Sequence, residues 1–268
     1  FNTSGFTGRL IANGVSSDKN GSLLLLNKGK VNYPTLTIDM KGNARLCAWD
    51  TSPTVEIGGI SGESGTYIMG SSKNTKNFTC TWKVGYANTN ETFNGKINNW
   101  SCSGSGYTGT VNITKVGTGD WRLTGANDYK GTTSIAGGRL IVNGTNSGTG
   151  QVIVSGGATL AGKGTVAGKV TVMSEATLLA GDTLINAQTL KLTGGCTVNA
   201  GGIVEVPLYS NGDAVKCNRI QVTGNFQIND ATLRLDLAET EGFKDGASFY
   251  IFNKGSATVS STGFVNIE

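Results

Sequence analysis

The side chains that could do acid–base or nucleophilic work are few in this chain, and their spacing is wrong for it. Histidine is absent, which removes the commonest general base, proton shuttle and zinc ligand together. A serine nucleophile therefore lacks its usual activating base, and Gly59-Ile-Ser-Gly-Glu63 misses the last glycine of GxSxG. Glycoside hydrolysis needs two carboxylates roughly 5–10 Å apart, which a repeating chain would place one period apart. Asp39 and Asp50 are too close in sequence to be one repeat apart, and so are Glu56 and Glu63. Asp120, Asp128 and Glu175 fall in turn-like sequence, and Glu205 lies in an alternating strand, where it is expected to face outward. Asp236, Glu239 and Glu241 gather near a strand end, where a solvated face is the plain reading. No acidic cluster supplies the oxygens a calcium ion needs, and Lys73, Lys76, Lys83 and Lys96 are most simply outward solubilising charges. Gly104-Ser-Gly-Tyr-Thr-Gly109 has the letters of a dinucleotide loop but no strand before it and no helix after it, so a turn is expected. Catalytic residues, metal and cofactor are accordingly all expected to be none.

Two residue groups remain. Cys102 follows Cys80 at a step of 22 and Cys217 follows Cys196 at a step of 21. On a coiled chain of that period each pair could stack on neighbouring turns, within disulfide reach. The other reading makes them small inward hydrophobes; Cys47 has no partner by this spacing. The aromatics Trp82, Tyr86, Phe93, Trp100 and Tyr107 fall in a loop-rich stretch. Trp100 and Tyr107, in a polar Gly/Ser loop, and Tyr86 are the candidate glycan contacts, because an exposed ring stacks on a sugar face. Trp82 and Phe93 are expected to point inward.

These groups must be positioned by many short strands. Glycine is 41 of 268 residues, about twice the usual ~7%, whereas proline is only 3 and charged residues are 15%. Gly-Gly pairs at 137/138, 156/157 and 194/195 suggest a step of 19 and its double, with Ser174-Glu175 standing in for the missing pair. Val152-Ile-Val154, Val170-Thr-Val172 and Leu190-Lys-Leu192 precede these turns, and Ala158-Thr-Leu160, Ala176-Thr-Leu178 and Cys196-Thr-Val198 follow them. A unit this short cannot hold a βαβ crossover of ~30 residues. It can bury its inward side chains only against the coils above and below, at a rise of ~4.8 Å. The expected fold is all-β: a right-handed, single-stranded parallel β-helix with coils of about 19–22 residues, in which 156 and 194 stack two coils apart.

One continuous solenoid over 1–268 is expected, with irregular coils and longer loops in 1–135, regular coils in 136–206, an outward loop insertion at 207–216 and C-terminal coils in 217–268. Candidate strands include Gly8–Ala12, Leu23–Leu26, Thr35–Asp39, Arg45–Ala48, Arg219–Val222, Thr232–Leu237 and Ser248–Phe252. The net charge of +4 shows no basic stripe, which argues against nucleic acid. No apolar run is long enough to span a membrane as a helix. The start at Phe1-Asn-Thr3 has mid-strand character and suggests a processed or excised piece with another module upstream.

Lys115-Val-Gly-Thr-Gly-Asp-Trp-Arg-Leu-Thr-Gly-Ala-Asn-Asp-Tyr-Lys-Gly-Thr-Thr133, continued by Ala136-Gly-Gly-Arg-Leu-Ile-Val-Asn-Gly144, resembles the autotransporter-associated β-strand repeat, roughly KxGxGxxxLxGxNxYxGxT. Glu56–Gly62 and Trp82–Ile97 are similar to its companion pattern. The resemblance implies a right-handed parallel β-helix in secreted or surface-displayed bacterial proteins, including passenger segments and, in Bacteroidetes and their relatives, segments that follow polysaccharide-degrading modules. The family's further strand, WDtSxLyxxGxlxv, is not present. The expectation is a monomeric, non-catalytic stalk or display segment at the cell surface, with polysaccharide as the candidate partner. The alternatives are the accessory part of a polysaccharide lyase or hydrolase, with the active site upstream, and an adhesin.

Overall fold

An alternating segment such as Val152–Val154 keeps its inward side chains dry only if equivalent strands lie above and below it. A computed structural model shows that arrangement. It describes residues 8–14, 23–26, 31–49, 52–71, 77–101, 109–182, 187–211, 214–237, 250–253, 258–261 and 263–268. Among these there is no helix, and parallel strands wind round an axis as a β-helix. Each lap has three faces. In the regular part the first carries Thr133–Ile135, Val152–Val154 and Val170–Val172. The second carries Arg139–Val142, Thr159–Ala161 and Thr177–Leu179, and the third Ala126–Asn127, Thr145–Asn146 and Thr165–Val166. Val31–Gly42 and Thr54–Gly62 bend round the first corner, so the first two faces join into one 20-stranded sheet.

Lap length varies more than the expected 19–22. Val152 pairs with Val170, a step of 18 in sequence number, but Val170 pairs with Cys196, a step of 26, and Cys196 with Phe226, a step of 30. Thr79 pairs with Thr110, a step of 31. The expected stacking of 156 over 194 is wrong for this reason. The Gly157 N–H donates to the Glu175 carbonyl and the Glu175 N–H to that of Gly201, so the first corner runs 157, 175, 201. Gly194 lies at the third corner, where a Cβ on it would meet the Ala167 carbonyl at 2.1 Å. The lap through 180–188 is longer than the one before it, and that difference made 38 look like twice 19. Leu190–Leu192 accordingly pairs with Arg219–Val222 on the third face, and Cys196–Val198 with Val170–Val172 on the first.

From Gly117 to Asp230 the first corner holds one left-handed residue per lap: Gly117, Gly138, Gly157, Glu175, Gly201 and Asp230 all have φ between 47° and 76°. That conformation is inexpensive for glycine and uncommon for other residues, which is why glycine fills four of these six places.

Inside, one column runs Val84, Lys115, Ile135, Val154, Val172, Val198, Ile228 and another Trp121, Leu140, Leu160, Leu178, Val204, Leu233. These apolar members are all buried. The expected loop at 207–216 differs in form: Ile203–Asn211 and Ala214–Cys217 pair antiparallel as a β-hairpin. Ser248 and Phe249 of the expected Ser248–Phe252 strand lie outside the described residues.

Candidate functional site

The lap that carries the repeat pattern is built from inward contacts. Lys115 sits in an interior column and is 1% exposed. Its ammonium donates to the carbonyls of Val116 (2.6 Å), Gly117 (3.2 Å) and Gly137 (3.1 Å), tying two laps together at the first corner. Burial pushes its pKa down to about 8, against the nearby Asp120 charge, which raises it. Lys115→Met keeps the stem but leaves three carbonyls without that donor. A loss of about 2 kcal/mol is expected in urea unfolding, and a loss under ~0.5 kcal/mol would show that the clamp is not used.

The rest of the pattern is committed in the same way. Leu123 fills the core. Asn127 is buried and its Oδ1 accepts the Ile97 N–H at 2.9 Å, one lap back. The Tyr129 hydroxyl lies 2.7 Å from Thr133 Oγ1 and accepts from Asn146 Nδ2 at 3.1 Å; burial raises that phenol to about 12. A Cβ on Gly117, Gly119, Gly125 or Gly131 would lie within 2.3 Å of a carbonyl oxygen in the preceding lap. All nine pattern residues therefore serve lap-to-lap packing.

Of the two readings of the cysteines, Cys80, Cys196 and Cys217 follow the inward one. All three are free and buried, so neither the Cys80–Cys102 nor the Cys196–Cys217 bridge forms. Cys196 registers with Val170 and Phe226, because the lap that starts at Cys196 closes well past Cys217. Burial raises the Cys196 thiol to about 12 and the Cys80 thiol higher still. Cys47, expected to have no partner, is disulfide-bonded, and Cys102 lies outside the described residues. Denatured without reductant, the chain should titrate three thiols, and Cys47→Ser one more. Five thiols in the parent chain would remove the disulfide.

Among the candidate glycan contacts, Trp100 is 50% exposed. The Lys96 ammonium lies 5.4 Å over its ring and pairs with Asp128 at 2.7 Å. Tyr86 is half-buried at the first corner of that lap, and burial, followed by the Glu56 charge, raises its phenol. The structure therefore puts Trp100 and Tyr86 at different corners. Tyr107 lies outside the described residues. Trp82 and Phe93 point inward as expected, both fully buried. Nothing in the sequence singled out Trp49, which is 42% exposed. It follows Arg45–Ala48 on the third face, as Trp100 follows the third-face strand Lys96–Ile97 two laps on.

The outer side of the second face carries a feature no motif announced. Ile141 and Ala161 pair across it, both 0% exposed yet outside the core cluster. Beside them, Arg139, Leu179, Ala180, Gly181, Asp182, Glu205, Pro207 and Asp236 line a cavity of 220 Å³. Among the described residues no group of three or more acidic or thiol side chains could hold a metal ion. No helix among them is long and apolar enough to cross a membrane.

No curated protein matches the chain. Residues 113–142, which contain Lys115, Asn127, Tyr129 and Thr133, match the family described as Passenger-associated-transport-repeat.

Proposed function

We propose that this chain is a non-catalytic display segment of a passenger-type protein, holding other parts of a secreted or surface-exposed bacterial protein away from the cell. The passenger repeat implies such a setting. The observation that carries the reading is that all nine residues of the Lys115–Thr133 pattern are spent on joining laps, so what marks the family is a way of building a rod. A stack of laps bonded along its axis resists bending, as a spacer must. Glycan contact belongs to this reading as a secondary role at the third corner, where Trp100 and Trp49 expose their rings, with Tyr107 and, separately at the first corner, Tyr86 as further candidates.

Protease added to intact cells of the producing strain should remove the chain, or the chain should appear in the medium, and the purified chain should release no unsaturated product from pectin or other uronic-acid polymers. Protection of the chain until the cells are lysed, or turnover of a polymer by the purified chain, would overturn the reading.

A further inference from the structure

The cavity on the outer side of the second face has the fittings of a binding site. The sharp turn at Gly181 (φ 85°) carries Asp182 back over this face. Asp182 Oδ2 accepts from Asn143 Nδ2 at 2.6 Å, with Arg122 Nε 3.9 Å away. The Asp182 side chain is only 6% exposed, yet its Oδ1 is buried with no hydrogen-bond partner, as is Arg122 Nε. A buried carboxylate oxygen left without a donor is costly unless a ligand or water supplies one.

The other walls are poised in the same way. Glu205 accepts from Arg234 at 3.3 Å. Arg139 holds Asp120 through Nε and one terminal nitrogen, which leaves its other terminal nitrogen available. The Asp236 carboxylate has no partner among the described residues. Leu179, Ala180 and Pro207 add an apolar patch.

We infer that this cavity binds one ring of a neutral saccharide, with ring hydroxyls donating to Asp182 Oδ1 and Asp236 and the C–H face lying on Leu179 and Pro207. A sugar ring offers several hydroxyl donors round an apolar face, and that is what free acceptors beside an apolar patch require. Of the carboxylates lining the cavity, Glu205 is paired with Arg234 and Asp182 has Arg122 close by, while Arg139 is held by Asp120, which leaves the Asp236 charge without a cation. A uronic-acid ring would therefore meet net repulsion. The site is separate from the third-corner tryptophans and involves no bond breaking.

The test is calorimetric titration of the full chain with gluco-, manno- and xylo-hexaose, with oligogalacturonate as the charged control. At least one neutral oligomer should bind. Asp236→Asn and Asp182→Asn should each weaken it at least about tenfold, while Trp100→Ala leaves it unchanged. The half-buried Asp236 keeps the test informative if Asp182→Asn impairs folding. The inference falls if no neutral oligomer binds, if oligogalacturonate binds as well, or if binding depends on Trp100 and not on Asp236. An ordered water as the only occupant would appear as the first of these outcomes. Polymer turnover would overturn the display reading without touching this one.

Discussion

Trp121→Ala should lower stability by about 3–5 kcal/mol, the cost of emptying a fully enclosed large side chain. Trp121 is 1% exposed and lies between Glu91 of the preceding lap and Leu140 of the next. Its indole N–H donates to the Ile60 carbonyl at 2.9 Å, so truncation also strips a buried acceptor. The Glu91 beside it is 6% exposed and bonded at 2.8 Å to Arg9, far away in sequence. Loosening this layer would therefore disturb a buried charge as well. Trp121→Phe, which keeps most of the volume and loses the donor, should cost about 1–2 kcal/mol. Because laps in a solenoid contact chiefly their neighbours, hydrogen exchange should accelerate first in Glu91–Phe93 and Arg139–Val142. A loss below about 1 kcal/mol for Trp121→Ala would mean that these laps are not filled from within.

The sequence carried the fold through alternation. Val152–Val154 and Val170–Val172 have the inside–outside pattern on which parallel stacking rests, and they pair in the expected register. Absolute register was not legible beyond residue 180, because a solenoid absorbs extra residues at a corner with no mark in the strands themselves. The glycine pair at 201/202 was the true continuation of the first corner, and the one at 194/195 belonged to another. Lys115 was legible as a pattern letter, but nothing in its neighbours said that its ammonium turns inward onto three carbonyls. The outer cavity could not be read at all. Asp182, Glu205 and Asp236 follow one another at unequal steps, and only the longer laps bring them to one wall.

The same laps explain where the aromatics went. Between Thr133 and Val172, where strands recur at steps of 18 to 20, the interior columns are filled by Ile, Val and Leu. Where the steps lengthen to between 27 and 31, Trp82, Phe78 and Phe93 lie inside. In those laps these rings do the filling that Ile, Val and Leu do elsewhere, as close packing requires. Much of the aromatic content of the first half therefore serves packing, and rings that stay wet, such as Trp100 and Trp49, remain open to a second use.

Glycine in this chain serves two separate needs, and a pair of substitutions should tell them apart. At Gly144 a Cβ would sit 2.2 Å from the Gly125 carbonyl oxygen and 2.3 Å from that of Thr124; at Gly125 it would sit 1.9 Å from the Gly95 oxygen, and at Gly164 2.0 Å from that of Gly144. These four stacked glycines let backbone approach backbone between laps, and at Gly125, Gly144 and Gly164 every atom in the way belongs to main chain that cannot rotate aside. Gly144→Ala should therefore cost about 3 kcal/mol, at the upper end for overpacking, and lower Tm by roughly 6–12 °C. Gly157 is the opposite case. Its φ is 76°, but a Cβ there would meet nothing within 4 Å, so Gly157→Ala should cost only the left-handed backbone penalty, about 1 kcal/mol. The next lap already carries a non-glycine at that corner, Glu175 at φ 63°, which shows the conformation to be tolerable. If the two alanine variants were equally destabilised, turn conformation alone would account for the glycine content, and the close stacking of laps at the second corner would not constrain the sequence.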